Sequence, residues 1–366
     1  MSVESCIADH FADLPDPRMV KKCDHLLIDI VVIAICATIA NADTWEEMAE
    51  FGQAKASWFK QWLELPNGIP SHDTFKRVFE LLDPVAFEDC FIGWVQTVFR
   101  LSEGQVIAID GKTARGTCDQ TGKAHLQVVS AWASANGLSL AQRQFVAPGN
   151  EIGTITSLLD LLVLDGYIVT IDALGCQQHI AEQIRGAGAD YVLMVKGNQP
   201  TLQHLVEAAF QDADAELVAS TCTTEEHGHG RWEQRQCTVL SDQRAQNLGW
   251  RDCLSLVRLV RQRQVGQQAP STETHYYISS LPAQPALLLG AIRSHWSIEN
   301  SCHWVLDVVF HEDQARTRTR HADRNQALLR KFALNLLNHE PSKGSLALKR
   351  YRAAVNEDYL TQVLLS

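Results

Sequence analysis

The sequence predicts an α/β fold preceded by a helical region, and the order of its predicted elements supports this. Residues 1–100 show helical periodicity, whereas three β-type runs follow one another between 104 and 147. Helical and β-type runs then alternate up to about residue 212. Three strands followed by helix–strand–helix–strand–helix is the element order of a ribonuclease-H-like fold. We therefore expect a helical N-terminal domain over 1–100 and a ribonuclease-H-like domain over 101–366.

Composition narrows the class of protein. The 366 residues are enough for two or three domains. A net charge of −11 argues against a uniformly basic DNA-coating protein but not against a local basic track. The ten cysteines form no CxxC pair, which is typical of reduced thiols in the cytoplasm. The most hydrophobic run, 26–40, is short for a bilayer span and contains Asp29, so we expect a buried helix and no membrane association.

The N-terminal region contains capped amphipathic helices. We expect Thr44 to lie at the start of a helix extending to residue 63, and Ser71 to cap a helix over 72–83. Lys76 and Arg77 fall on the outward face of that second helix. Two helices around a tight turn are compatible with a DNA-binding helix-turn-helix. An ordinary helical bundle with a solvated basic pair is the alternative.

Two apolar, β-branched runs each end in an aspartate. VIAIDGKT (106–113) contains Asp110 and YIVTIDALG (167–175) contains Asp172. In the predicted sheet the first strand and a central parallel strand are neighbours, about 5 Å apart. We therefore expect the two carboxylates to share a bound cation.

A third acid follows a β-rich segment. Residues 215–285 alternate like strands and are interpreted as an insertion. In the helical segment after it, His295, Glu299 and His303 are spaced by four residues, so they share one face of an α-helix. A zinc site made from these three side chains is one interpretation. Glu299 as a partner of the two aspartates is the other.

Three neighbouring carboxylates repel one another unless cations are present. A pair of Mg²⁺ ions, with Mn²⁺ as a substitute, removes this repulsion and supplies chemistry. One ion activates an attacking hydroxyl and the other stabilises the leaving oxygen of a phosphodiester. The spacing of Asp110, Asp172 and Glu299 is weak support by itself, and their positions at two strand ends and on a helix carry the prediction.

Blocks along nearly the whole chain resemble bacterial insertion-sequence DDE transposases of the H-repeat-associated group found in Rhs elements. The blocks include LPDPR, PSHDTFKRVF, AIDGKTARG, TIDALGCQQHIAEQI, ADYVLMVKGNQPTL and HWSIENSCHWVLDVVFHED. The resemblance implies a ribonuclease-H-like catalytic domain with a β-strand insertion, and DNA cleavage and strand transfer at transposon ends. It also places the catalytic triad on Asp110, Asp172 and Glu299, in preference to Asp307, Glu312 or Asp313 for the third acid.

The chain departs from the wider superfamily at one motif. A Tyr-x2-Arg-x3-Glu-x6-Lys signature surrounds the glutamate in that superfamily, and here its positions hold Ile292, His295, Glu299 and Leu306. Only the glutamate is retained. Which residues of this chain contact phosphate in place of the missing Arg and Lys is therefore an open question.

Basic and polar residues near the acids are candidates for DNA contacts. Lys112 and Arg115 follow the first acid, and Lys196, Asn198 and Gln199 end a strand in the same sheet. Solvated surface charge is the alternative for the three basic residues.

Further candidates lie in the insertion and beyond it. Arg231 and Arg235 alternate along a predicted strand and so share one face, with Trp232 beside them. Either the arginines contact the DNA backbone while Trp232 stacks on a base, or they form a salt-bridged sheet face with a core tryptophan. His295 and His303 are expected to hydrogen-bond Glu299 or a phosphate. The run 314–331 is expected to form a phosphate track or a solvated helix face, and its basic residues are Arg316, Arg318, Arg320, Arg324, Arg330 and Lys331.

The predicted function is thus a Mg²⁺-dependent DNA transposase, a nuclease and strand transferase acting on double-stranded DNA. We expect a homodimer on DNA in the cytoplasm, associated with the nucleoid. A transposase-derived endonuclease that no longer mobilises an element and a non-catalytic DNA-binding regulator are the alternatives.

Overall fold

The computed structural model describes residues 8–19, 23–99, 104–114, 126–146, 149–216, 219–228, 230–241, 246 and 249–366. Two compact units are present. The first comprises Met1–Leu101, Gly111–Glu151 and Glu299–Ser366, and the second comprises Ser102–Asp110 and Ile152–Ile298. Residues up to Leu101 therefore group with two later segments, and the domain division after residue 100 stays a prediction.

The α-helices, numbered in chain order over the described residues, are α1 (Leu27–Ile39), α2 (Trp45–Ala54), α3 (Ala56–Phe59), α4 (His72–Leu81), α5 (Pro84–Val98), α6 (Glu151–Leu159), α7 (Gln178–Gly186), α8 (Pro200–Glu216), α9 (Pro285–His295), α10 (Trp304–Val308), α11 (Ala322–His339), α12 (Leu346–Val355) and α13 (Glu357–Leu365). The strands are β1 (Val106–Ala114), β2 (Leu126–Ala133), β3 (Leu138–Val146), β4 (Ile168–Ile171), β5 (Asp190–Val195), β6 (Ser220–Gly228), β7 (Arg231–Leu240), β8 (Ser255–Val265) and β9 (Ser271–Ser279). A π-helix, Ile298–His303, precedes α10.

The predicted caps and faces of the N-terminal helices are largely confirmed. The Thr44 hydroxyl accepts a hydrogen bond from the Glu47 amide, and the Glu47 side chain accepts one from the Thr44 amide, which forms a capping box. Ser71 caps α4, on which Lys76 and Arg77 are exposed. The single helix expected over 44–63 is wrong, because α2 ends at Ala54 and a short second helix follows.

Helix α11 forms the centre of the first unit and is buried along most of its length. The ring of Phe332 lies against aromatic rings from the N-terminal region, with centroid distances of 5.4 Å to Phe11, 4.7 Å to Phe91 and 4.9 Å to Trp94. The β2–β3 hairpin packs against α5 and α11. Aromatic and aliphatic burial of this kind is the main stabilising contribution to such a core.

Strand β1 contributes to both units, since Asp110 and Gly111 fall on opposite sides of the division. In the first unit the strand order is β3-β2-β1, and in the second it is β1-β4-β5-β9-β8-β7-β6. Strands β1, β4 and β5 are parallel. The predicted α/β class, with a helical N-terminal region and a ribonuclease-H-like strand order, is confirmed.

The β-rich insertion extends the sheet of the second unit. Strand β9 pairs antiparallel with β5, with Val192 opposite Ser279, and β8, β7 and β6 follow. Beneath these strands Leu288 and Ile292 of α9 are buried in an apolar cluster. No helix in the described part of the chain is both long enough and apolar enough to cross a membrane.

Candidate active site

Asp110 and Asp172 lie at equivalent positions on neighbouring parallel strands. Ile109 of β1 pairs with Ile171 of β4. Asp110 and Asp172 directly follow these two paired residues. Both side chains are half-buried. Since paired strands are about 5 Å apart, this register brings the two carboxylates to one edge of the sheet, as the sequence predicts.

The turn after β4 fixes the Asp172 carboxylate. Its Oδ1 accepts hydrogen bonds from the amide N–H groups of Leu174, at 3.1 Å, and Gly175, at 3.4 Å. A Cβ atom on Gly175 would lie 2.3 Å from Cγ2 of Ile171, so this tight turn needs a glycine. Backbone donors therefore orient one carboxylate oxygen of Asp172.

Two of the predicted DNA contacts support this turn instead. The Asn198 amide donates to the carbonyl of Ala173 at 2.6 Å, and the Gln199 amide donates to the carbonyl of Cys176 at 2.9 Å. Lys196 follows β5 and is exposed. Asn198 and Gln199 thus hold the loop that carries Asp172, and Lys196 stays a predicted phosphate contact.

The segment around Glu299 differs from the expected single α-helix. Helix α9 ends at His295, and Glu299 and His303 belong to the π-helix Ile298–His303. The single α-helix predicted through these three residues is therefore wrong. A π-helical turn widens the backbone and recurs at functional sites.

His295 and Glu299 have different environments. The His295 Nδ1 lies 3.0 Å from the Thr170 hydroxyl in β4, and burial lowers the pKa of this imidazole although the nearby Asp172 charge acts in the opposite direction. Glu299 belongs to the first unit and is exposed, and partial desolvation raises the pKa of its carboxyl group. His303, also in the first unit, is buried.

Lys112 pairs with two acids of the first unit. Its ammonium donates hydrogen bonds to the Asp307 and Glu312 carboxylates. Burial by itself lowers the pKa of Lys112, but the two carboxylates outweigh this and raise it. Arg115, the other predicted contact in this stretch, lies outside the described residues. The sequence gives no signal for this pairing, because almost two hundred residues separate the partners.

Strand β7 of the second unit carries a salt-bridged face. The buried Glu233 carboxylate lies 2.8 Å from Arg235 and 3.6 Å from Arg231. Trp232 is half-buried and donates its indole N–H to Glu225 at 2.7 Å. Both arginines thus contact Glu233, as the salt-bridged alternative describes, and Arg231 is also exposed, so its DNA contact stays a prediction. The expected core position of Trp232 is wrong.

The six residues of the predicted basic track differ in burial, and Arg324 is half-buried. Arg316, Arg318 and Arg320 are exposed on an irregular segment. Arg330 and Lys331 are buried in α11, so their assignment to a surface track is wrong. The Lys331 ammonium donates to the Ser130 hydroxyl at 2.5 Å, and an Arg330 nitrogen lies 3.9 Å from Glu312.

Two of the exposed arginines line a concavity in the first unit. Its volume is about 640 Å³, and Lys76, Trp45, Arg316 and Arg318 are among its lining residues. The sequence could not predict this surface, because it joins residues from both ends of the chain.

The donor set at the sheet edge suits a hard divalent cation. Asp110 and Asp172 supply carboxylate oxygens, and Mg²⁺ commonly takes one or two carboxylates together with water and phosphate oxygens. Over the described ranges, no group of three or more His, Cys, Asp or Glu side chains has an arrangement that could hold a metal ion.

Comparison with known proteins identifies the class. The family model described as "Transposase DDE domain" matches residues 101–336, and one described as "DDE_Tnp_1-associated" matches residues 8–95. The chain therefore belongs to the class of DDE transposases.

Individual relatives indicate which group of DDE transposases the chain is similar to. "Putative transposase YncI" of Escherichia coli O157:H7 is 39% identical over 375 residues, covering 100% of this chain and 96% of that protein. "H repeat-associated putative transposase YhhI" of Escherichia coli strain K12 is 35% identical over 367 residues, covering 98% and 97%. The chain belongs to the DDE transposase family and is similar to its H-repeat-associated members.

Among solved structures, a piggyBac transposase synaptic complex with hairpin DNA aligns with 98% of this chain and 77% of that one. The TM-score is 0.41 and the identity 9%, and a likeness of that extent does not establish a shared fold.

Proposed function

We propose that the protein is a DNA transposase that hydrolyses phosphodiester bonds at transposon ends and joins the ends to target DNA. The observation that carries this proposal is the register of Ile109 with Ile171, which brings Asp110 and Asp172 together in a chain of the DDE transposase family. Glu299 is the third acid of the proposed triad.

Asp110, Asp172 and Glu299 would hold Mg²⁺, with Mn²⁺ as a substitute. When bound, the ions supply activation of the attacking oxygen and stabilisation of the leaving oxygen. The protein's own contribution is orientation. The amides of Leu174 and Gly175 fix the Asp172 carboxylate, so it is oriented before substrate arrives.

The reaction has two steps. Water attacks the phosphodiester at each transposon end and leaves a 3′-hydroxyl group. That hydroxyl then attacks a target phosphodiester, so a new P–O bond joins the transposon end to the target while the bond to the target's own 3′-oxygen breaks and leaves a target 3′-hydroxyl. No side chain becomes covalently attached to DNA in this scheme.

Double-stranded DNA is the proposed partner, and Arg316, Arg318 and Arg320 are its proposed phosphate contacts. Lys196 and Arg231, which are both exposed, are further candidates for DNA contacts, whereas His303 is buried. Pairing of two transposon ends favours a homodimer on DNA, acting at the nucleoid in the cytoplasm.

The test is incubation of the protein with DNA that carries its own transposon ends, in Mg²⁺ and in EDTA. We expect nicking at the ends in Mg²⁺ alone, and a loss of about a thousandfold or more for Asp172→Asn. Asp165→Asn, a change at an exposed aspartate outside the site, serves as the matched control. Wild-type nicking by Asp172→Asn would refute the assignment.

A target plasmid in the same reaction separates the alternatives. Strand transfer supports a transposase, and nicking without transfer indicates an endonuclease that no longer mobilises an element. Binding of the ends without nicking indicates a regulator.

A further inference from the structure

Lys112 is close to the proposed site along its own strand. It follows Asp110 by two residues in β1, so the two side chains project from the same face of the strand. Two residues of an extended strand span about 7 Å.

The contact itself is well enclosed. The Lys112 side chain is 11% exposed, Glu312 is 5% exposed, and Asp307 is 30% exposed. The other Glu312 oxygen lies 3.9 Å from an Arg330 nitrogen, and Arg330 is itself buried in α11. One lysine thus joins two carboxylates, one of which is also anchored from the opposite side.

The two acids lie in the segment that begins with Glu299. Asp307 is in α10, which continues directly from the π-helix containing Glu299. Glu312 begins a 3₁₀ turn just beyond it. Inside the first unit, Lys112 therefore ties the segment that starts at Gly111 to the segment that starts at Glu299.

We propose that Lys112 is a positioning residue that fixes the segment carrying Glu299 for metal binding, and is not a contact to a DNA phosphate. This inference rests on the proposed function, because it assumes that Asp110 and Glu299 are metal ligands. The charge of Lys112 is already compensated by Asp307 and Glu312. Moving the ammonium to a phosphate would remove the hydrogen bond that each carboxylate accepts from Lys112, at a high cost for the buried Glu312.

The first measurement is Mn²⁺ binding by the full-length protein without DNA, followed by electron paramagnetic resonance. Lys112→Met should weaken Mn²⁺ binding by about tenfold or more, the usual effect of removing a residue that orients a metal ligand. Lys112→Arg should recover part of the affinity, because it restores the charge.

Lys349→Met is the matched control. Lys349 is another buried lysine of the first unit, 3.2 Å from Glu340, and its ammonium donates to the carbonyl groups of Leu337 and Glu340. We expect this variant to lower the melting temperature and to leave Mn²⁺ affinity unchanged. If both lysine variants weaken Mn²⁺ binding equally, the effect is general destabilisation and the inference is wrong.

The second measurement is binding of transposon-end DNA in EDTA. Positioning predicts unchanged DNA affinity for Lys112→Met. Weaker DNA binding combined with normal Mn²⁺ binding would overturn the inference in favour of a phosphate contact.

Two further variants keep the test decisive. If Lys112→Met does not fold, Asp307→Asn leaves the contact of Glu312 with Arg330 intact and should still weaken Mn²⁺ binding by roughly threefold to tenfold. Asp172→Asn reports on the proposed function itself. Loss of Mn²⁺ binding there, with normal binding by Lys112→Met and Asp307→Asn, refutes only the positioning role. Normal Mn²⁺ binding by Asp172→Asn refutes both proposals.

Discussion

The Nδ1 atom of His295 lies 3.0 Å from the Oγ1 atom of Thr170. His295 is the last residue of α9, and Thr170 precedes Asp172 by two residues in β4. This contact joins the end of a helix to the strand that presents one of the candidate acids. Burial lowers the pKa of His295, so the imidazole is predominantly neutral at neutral pH and can share one hydrogen with the hydroxyl.

Removal of the Thr170 hydroxyl should weaken catalysis more than it weakens folding. Thr170→Val keeps the branched shape and is expected to cost about 1 kcal/mol of unfolding free energy. Nicking should fall by about tenfold, because the strand end carrying Asp172 loses a support. Nicking rates and urea unfolding measure the two effects.

Thr238→Val is the control for this variant, since Thr238 is a buried threonine in β7 whose hydroxyl bonds to Thr221. It should lose stability to a similar extent and nick normally. Equal nicking by the two valine variants would contradict a role for the contact between Thr170 and His295.

Gly175→Ala should impair the Asp172 turn. The added Cβ would meet Ile171 at 2.3 Å, so the turn must shift and its amide donors move with it. We expect lower stability, by about 1–3 kcal/mol, and a loss of nicking greater than that stability loss explains at a temperature where both variants are folded. Gly197→Ala is the matched control, because a Cβ there would meet no atom within 4 Å. Normal nicking by Gly175→Ala would show that the turn tolerates displacement.

The exposed arginines should determine how strongly DNA binding depends on salt. The triple variant Arg316→Gln, Arg318→Gln, Arg320→Gln is expected to bind end DNA more weakly. The slope of log affinity against log salt should decrease by about 0.9 for each phosphate that is no longer neutralised. Fluorescence anisotropy over a salt series measures this slope. Arg263→Gln, at an exposed residue of β8, is the control, and an unchanged slope in the triple variant would place the track elsewhere.

Glu88 should make the stability of the first unit pH-dependent. Burial raises the pKa of Glu88 to about 7, although the paired Arg143 acts to lower it. Because the folded pKa lies above the unfolded value, the contribution of Glu88 is fully present below the unfolded pKa and is lost as the pH rises through about 7. The unfolding free energy should therefore decrease from pH 4.5 to 7, by at most about 1.4 kcal/mol per pH unit.

Glu88→Gln should flatten that decrease, as measured by urea unfolding at several pH values. Glu340→Gln is the control, because its hydrogen bonds outweigh desolvation and lower the pKa of Glu340 to about 2. The contribution of Glu340 is lost only as the pH falls towards that value, so its substitution should not change the slope above about pH 5. Identical slopes for wild type and Glu88→Gln would contradict the raised pKa.

Features that depend on local pattern were predictable from the sequence. The strand ends at Asp110 and Asp172, the capping box at Thr44 and the outward position of Lys76 follow from side-chain periodicity and backbone hydrogen bonding. The π-helix at Glu299 was not predictable in this way. Residues four apart remain near one another in both α- and π-helices, so the sequence pattern does not distinguish them.

Contacts between residues that are distant along the chain were also not predictable from the sequence. From the sequence, Arg330 and Lys331 are expected at the surface, because burying a charge is costly unless a partner compensates it. Their partners, Glu312 and Ser130, are brought to them only by the tertiary fold. Arg235 likewise forms ion pairs, with Glu226 and Glu233, that the sequence alone did not predict.

The enclosure of Phe332 by Phe11, Phe91 and Trp94 has a consequence for biosynthesis. Roughly 240 residues separate Trp94 from Phe332, which a ribosome adding about 5–20 residues per second needs tens of seconds at most to translate. During that interval the nascent N-terminal helices expose the aromatic side chains that will later surround Phe332. A gene copy truncated ahead of α11 would leave them permanently uncovered, so its product should be a substrate for chaperones and proteases.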